Sequence, residues 1–152
     1  MSNIYQVKVG RLLEVRLDSS VRTTEDVDRW FTGVGAALRV LPSGVRAVVM
    51  ADWRSCPLLS DEASERARLR LTQSNDHVER SAALVFPDSA ISVLQFLRLC
   101  RDSGTPNRRL FTEEQPAVSW LGEVLNDAER QRLAVFLAEY DARSGGPAQR
   151  LM

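Results

Sequence analysis

The sequence predicts an α/β fold: a small mixed β-sheet with an N-terminal hairpin and flanking helices, plus a C-terminal helix. Three observations lead there. Apolar and polar residues alternate between Val7 and Leu17. Two short apolar runs, Val45–Ala51 and Ala82–Phe86, stand between longer segments. Those segments repeat their apolar residues every three or four positions behind a capping signal. Strands that alternate with helices imply a largely parallel sheet layered with helices.

The elements follow in order. Val7, Val9, Leu13, Val15 and Leu17 recur every second residue except around Gly10-Arg11, as in two half-buried strands joined by a tight turn; a single bent strand shares the pattern. Thr23 or Thr24 can cap a helix with Glu25 and Asp26 at its positive end. Val27, Trp30, Phe31, Val34, Leu38 and Leu41 form its apolar face, and Pro42-Ser43-Gly44 ends it. Gly33 and Gly35 weaken this helix, which fits close packing against the sheet better than a binding loop. Val45–Ala51 is continuously apolar apart from Arg46, the pattern of a strand covered on both faces. Ser60-Asp61-Glu62 opens a second helix, in which Glu62 can pair with Arg66. Residues 68–72 also alternate like a strand, but the capping and the Glu62–Arg66 pair favour helix there.

Ala82–Phe86 is the next strand, stopped by Pro87. Ala90, Ile91, Leu94, Leu97 and Leu99, with Val93 and Phe96, make a strongly apolar third helix that Gly104-Thr105-Pro106-Asn107 closes. Arg108–Phe111 suits a short edge strand. Thr112-Glu113-Glu114-Gln115 has the form of a capping box before Ala117, Val118, Trp120 and Leu121, and Asn126-Asp127-Ala128-Glu129 is a second such box. Leu133, Phe136, Leu137 and Tyr140 stripe the last helix, which can pack on the domain or dock against another chain. Residues 1–143 are thus expected to form one domain with a helical extension from about residue 126, and residues 144–152 a flexible tail.

Composition narrows the function. The 152 residues suffice for one core. Lys+Arg and Asp+Glu number 20 each, so no net field draws the chain to nucleic acid or an anionic membrane. No apolar run approaches the roughly 20 residues of a membrane span, and no secretory signal is visible. The two cysteines, Cys56 and Cys100, lack metal-ligand spacing. A cytoplasmic location with reduced thiols is the expectation.

The order of elements resembles the STAS domain (sulfate transporter and anti-sigma-factor antagonist), particularly its SpoIIAA-like branch, also described as similar to the lipid-binding Sec14 fold. Three stretches carry the resemblance: Val48-Val49-Met50-Ala51-Asp52-Trp53, Arg80-Ser81-Ala82-Ala83-Leu84-Val85-Phe86, and Arg109 through Leu121 with its Ala-x-x-Trp-Leu ending at Ala117, Trp120 and Leu121. Together they would cover roughly residues 5 to 125, the usual size of one domain. The resemblance implies a non-enzymatic module that binds a protein partner, sometimes under phosphorylation control, or that takes an apolar ligand between helices and sheet. The antagonist branch carries its phosphorylated Ser at the helix start after the central strand; Ser55 and Ser60 lie there, but the branch's paired Ser-Gly signature is absent.

The expected docking surface is therefore Asp52, Trp53, Arg54, Ser55 and Ser60, beyond the carboxyl end of a central strand, where open α/β sheets bind ligands. Trp53 can cap the core or anchor a partner. The alternative, a carrier of an apolar small molecule or lipid, would line a cavity with Trp30, Phe31, Leu94, Phe96, Leu97 and Trp120. Catalysis would need Cys56 as nucleophile, His77 as base and Asp52 to orient it, but His77 sits in the turn-like Asn75-Asp76-His77. A zinc site would need about four ligands, and no phosphate-binding glycine loop is present. Arg66, Arg68, Arg70, Arg108 and Arg109 could form a basic patch, but the interspersed acids favour a salt-bridged surface. The expectation is no enzyme, no cofactor and no metal; a homodimer could form through a sheet edge or the last helix.

Overall fold

The computed structural model describes residues 3–143, with side chains to residue 140. The expected tail at 144–152 lies outside the described residues. A five-stranded sheet has the order β1-β2-β3-β4-β5. It is built from β1 (Ile4–Val7), β2 (Leu12–Arg16), β3 (Ala47–Asp52), β4 (Val78–Leu84) and β5 (Arg108–Phe111). β1 is antiparallel to β2, and all later pairs are parallel. The hairpin reading holds. Its turn needs Gly10, whose φ of +56° is left-handed and strained for residues with a side chain.

Helices α1 (Thr24–Leu38), α2 (Asp61–Ser74) and α3 (Ala90–Arg101) connect the parallel strands. Each crossover steps to the adjacent strand in the same direction, so crossovers of constant hand put all three helices on one face. There Leu13, Val15, Val49, Ala51, Ala83 and Val85 meet α1, α2 and α3. The other face carries α4 (Glu114–Gly122) and α5 (Asp127–Arg143) over Leu12, Val48, Met50, Ala82 and Leu84. With both faces covered, β3 is buried along its whole length, as its apolar run requires. The stripe Leu133, Phe136 and Leu137 packs on this second face, so α5 closes the domain's own core.

Local signals account for most boundaries. The Thr23 side chain accepts from the Asp26 amide while Asp26 accepts from the Thr23 amide, a complete capping box. Ser60 Oγ accepts from the Ala63 amide at 3.1 Å. Asn126 and Glu129 exchange bonds of 2.8 Å. Residues 68–72 are helical: Ala63, Ala67 and Leu71 share one buried face, which the alternating reading would have split between two sides. Gly33 faces the Tyr5 ring where a Cβ would overlap it, the close helix–sheet approach expected; Gly35 meets nothing.

Three local expectations are corrected. The strand expected at 82–86 runs instead from Val78 to Leu84, because Glu79 and Arg80 find partners in Arg11 and Glu123 that let polar residues stay in a ladder. The cap before α4 is Glu113 with no side-chain hydrogen bond, so Thr112 makes no capping box. Arg66 reaches across to Asp28 on α1 at 2.7 Å, a partner one helix over that replaces Glu62.

Candidate functional site

The loop after β3 is built on a buried charge ladder. Arg16 and Asp52 are register partners on β2 and β3, so their side chains emerge on the same face. Arg16 Nε donates to Asp52 Oδ2 at 2.7 Å and Arg16 Nη2 to the Phe136 carbonyl at 2.7 Å. Arg54 folds back onto the same carboxylate, with Nε to Oδ1 at 2.9 Å and Nη2 to Oδ2 at 3.0 Å, and continues to Glu114 at 2.9 Å. The two guanidinium groups lie over α5 rings, Arg16 at 4.1 Å from the Phe136 centroid and Arg54 at 3.9 Å from Tyr140. On the same strand, Glu14 takes two bonds of 2.7 Å from Arg132. Hydrogen bonding to Glu14 first, and to Glu139 after burial's opposing effect, holds the Arg132 guanidinium above its usual pKa. These charges fasten α5 to the sheet.

Most of the expected docking surface is therefore interior. Asp52 is 0% exposed, and the Arg54 side chain is buried beside it. Trp53 is 2% exposed, edge-on to Trp30 at 5.6 Å and 5.5 Å from Phe96. It caps the core. The reason is alternation: Asp52 and Trp53 leave the strand on opposite faces, and each face is roofed by helices. Ser55 is half-buried and shares a 3.3 Å hydrogen bond with the Tyr140 hydroxyl. Of the five residues only Ser60 is exposed, at the first turn of α2.

The catalytic set of Cys56, His77 and Asp52 is taken apart by topology. Asp52 ends β3, whereas His77 precedes β4, its parallel neighbour. Those two positions lie at opposite ends of strands six and seven residues long, which places them about 20 Å apart. Burial, with a smaller contribution from Asp18, pushes the Cys56 thiol up to about 12. Burial likewise raises Cys100 to about 12, against a small opposing effect of Arg108. Thiols held that high are protonated at neutral pH, and the thiolate is the reactive form.

The six residues of the expected apolar cavity do not converge either. Trp30, Phe31 and Phe96 pack in the α1–α3 core, Trp120 lies on the opposite face against Phe111, and Leu94 and Leu97 point outward from α3. The five arginines are also dispersed. Arg66 and Arg70 bind Asp28, Arg68 binds Glu65, Arg108 is buried, and Arg109 lies over Trp120 at 4.6 Å.

A different site stands out between α2 and α3. An open cleft of about 390 Å³ is lined by Leu58, Asp61, Glu65, Ile91, Leu94 and Arg98, among others. Its aliphatic floor is open to solvent, with Ile91 69% and Leu94 45% exposed, Leu58 comparable, and Leu97 one turn beyond. The loop wall is fixed by a two-way amide clasp: Gln95 Nε2 donates to the Leu59 carbonyl at 2.8 Å, and the Leu59 amide donates to Gln95 Oε1 at 2.9 Å. Glu65 and Arg68 pair along α2, while Arg98 has no ion-pair partner among the described residues. The chain held a signal for this site. α3 buries Phe96, Leu99 and Cys100, so Ile91, Leu94 and Leu97, spaced by three, form a second apolar stripe that faces outward. A helix apolar on every side does not show in sequence which stripe meets the sheet.

Comparison with family models, curated proteins and solved structures finds no significant match to this chain.

Proposed function

We propose that the chain is a non-catalytic protein-binding regulatory module that takes an amphipathic helix of a partner into the α2–α3 cleft. The observation that carries this is the cluster of exposed aliphatic side chains Leu58, Ile91 and Leu94 lining one groove. Contiguous apolar surface on a folded chain marks interaction sites, and a groove between two helices suits a helical ligand that presents residues at i, i+3 or i+4 and i+7. An acidic residue flanking that stripe would pair with Arg98. The STAS-like reading is part of the same proposal. It is supported by the order hairpin, helix, strand, helix, strand, helix, strand, helix, and it moves the docking surface from the buried Asp52–Arg54 segment to the neighbouring cleft.

Ser60 stands at the rim of this cleft, between Leu59 and Asp61, which both line it. A phosphate there would meet the positive end of α2 and also the like charges of Asp61 and Glu62. Ser60 is therefore the modification candidate, and Ser55, engaged with Tyr140, is the weaker one. The two free thiols suit the reducing cytoplasm.

The test is affinity capture from the native cell with wild type and the double variant Ile91→Glu/Leu94→Glu. Exposed substitutions change stability by less than about 0.5 kcal/mol each, so the variant keeps its fold and loses the partner. A partner retained by the folded double variant refutes the cleft as the docking site. Recovery of a second copy of this chain alone would replace a foreign partner with self-association.

A further inference from the structure

We propose that a single small monovalent anion, of the size of chloride, binds inside the core between the sheet and helices α1 and α2, held by Arg108. A cavity of about 30 Å³ lies there, lined by Trp30, Phe31, Trp53, Ser74, Ser81 and Arg108 together with aliphatic side chains. That is roughly twice the ~15 Å³ one water needs, room for a monatomic ion and none for an organic substrate.

Among the described residues, two buried N–H donors of the lining residues lack an acceptor, Trp53 Nε1 and Arg108 Nε; the register that aligns Arg108 with Ser81 and Val49 sets Trp53 four residues further along the sheet, so Arg108 is the one that meets the ion. Trp53 is 2% and Arg108 7% exposed, and orphaned donors at such depth are rare. The remaining nitrogens of Arg108 bond only to neutral oxygens. Nη1 donates to Ser81 Oγ at 3.2 Å, and Nη2 to Asn75 Oδ1 at 3.1 Å, with longer bonds to the Leu71 carbonyl and Ser74 Oγ. No carboxylate pairs with Arg108 among the described residues. The contrast within the fold is direct: Arg16 and Arg54, whose side chains are also buried, both share Asp52.

Arg108 is therefore a buried charge that lacks a counter-charge. Burial lowers its pKa to about 10, slightly offset by Cys100, so the group remains a cation at neutral pH. A halide supplies an acceptor for the orphaned Arg108 N–H and cancels the charge, whereas a water supplies only the acceptor. No acidic side chain lines the cavity to repel an anion. Four of its lining residues, Phe31, Val34, Ser74 and Val78, are only half-buried.

The test compares thermal unfolding of the full chain in sodium chloride, bromide and gluconate at equal ionic strength, gluconate being too large for the cavity. Chloride and bromide should raise the Tm in a saturable way, by roughly 3–6 °C at ten times Kd in a domain of this size. Arg108→Gln should abolish the difference between halide and gluconate. Wild-type crystals soaked in bromide should show an anomalous peak in the cavity, a measurement that stands even if Arg108→Gln does not fold. Equal Tm in chloride and gluconate, or density without anomalous signal (a water only), overturns the proposal.

Discussion

Asp52→Ala should be far more damaging than replacing the whole ion cluster around it. The carboxylate accepts four hydrogen bonds, from Arg16 Nε and from the Arg54 amide, Nε and Nη2. Removing it leaves Arg16 with the Phe136 carbonyl and ring, neither of which carries a charge, in a site closed to water. Breaking a buried pair by deleting one partner costs about 3–5 kcal/mol. At roughly 2–4 °C per kcal/mol for a chain of this length, the Tm should fall by roughly 6–20 °C. The triple variant Arg16→Met/Asp52→Leu/Arg54→Met removes the three buried charges at once and leaves the partly exposed Glu114 to water. It should unfold within about 1–2 kcal/mol of wild type, because no ion is left stranded. Urea titrations followed by circular dichroism give both numbers. A single variant within about 1 kcal/mol of wild type, or a triple variant as unstable as the single, would refute the view that the ladder is interior and its charges interdependent.

Trp53→Ala should cost about 3–5 kcal/mol, as truncations of buried aromatic residues do, and the same urea titration reads it; a melting temperature close to wild type would return Trp53 to the surface. Cys56 and Cys100, each with a pKa near 12, should hold about one part in ten thousand as thiolate at pH 8. A disulfide reagent should therefore leave both unmodified in the native chain and titrate both in urea. Rapid native labelling of either one would show that its burial is transient.

What was legible in the chain was whatever depends on near neighbours. The period of two around Gly10, the period of 3.6 in the helices and the caps at Thr23, Ser60 and Asn126 are set by backbone geometry within a few residues, and each reappears in the structure. The continuous run of β3 carried a longer-range message. An unbroken apolar strand can keep its side chains from water only if both faces of the sheet are covered, and both are. The missed cap at Thr112 shows the limit: the residue types suited a box, but the chain begins α4 one residue later.

The site was not legible in the same way, because function depends on which side chains remain on the surface. Asp52-Trp53-Arg54 is polar and aromatic in sequence, the composition of a docking loop. It is interior because Arg16, 36 positions earlier, neutralises Asp52, and because α5 lays Phe136 and Tyr140 over the arginines. Ile91 and Leu94 look like core in sequence and are exposed, since α3 can turn only one side to the sheet and that side belongs to Phe96, Leu99 and Cys100. By itself the sequence determined the elements, their order and the α/β class, all consequences of local periodicity and capping. Only the tertiary structure decided which charges were paired, which apolar residues stayed uncovered and that Arg108 was buried among neutral oxygens, because burial and pairing are properties of neighbours in space that no local pattern encodes.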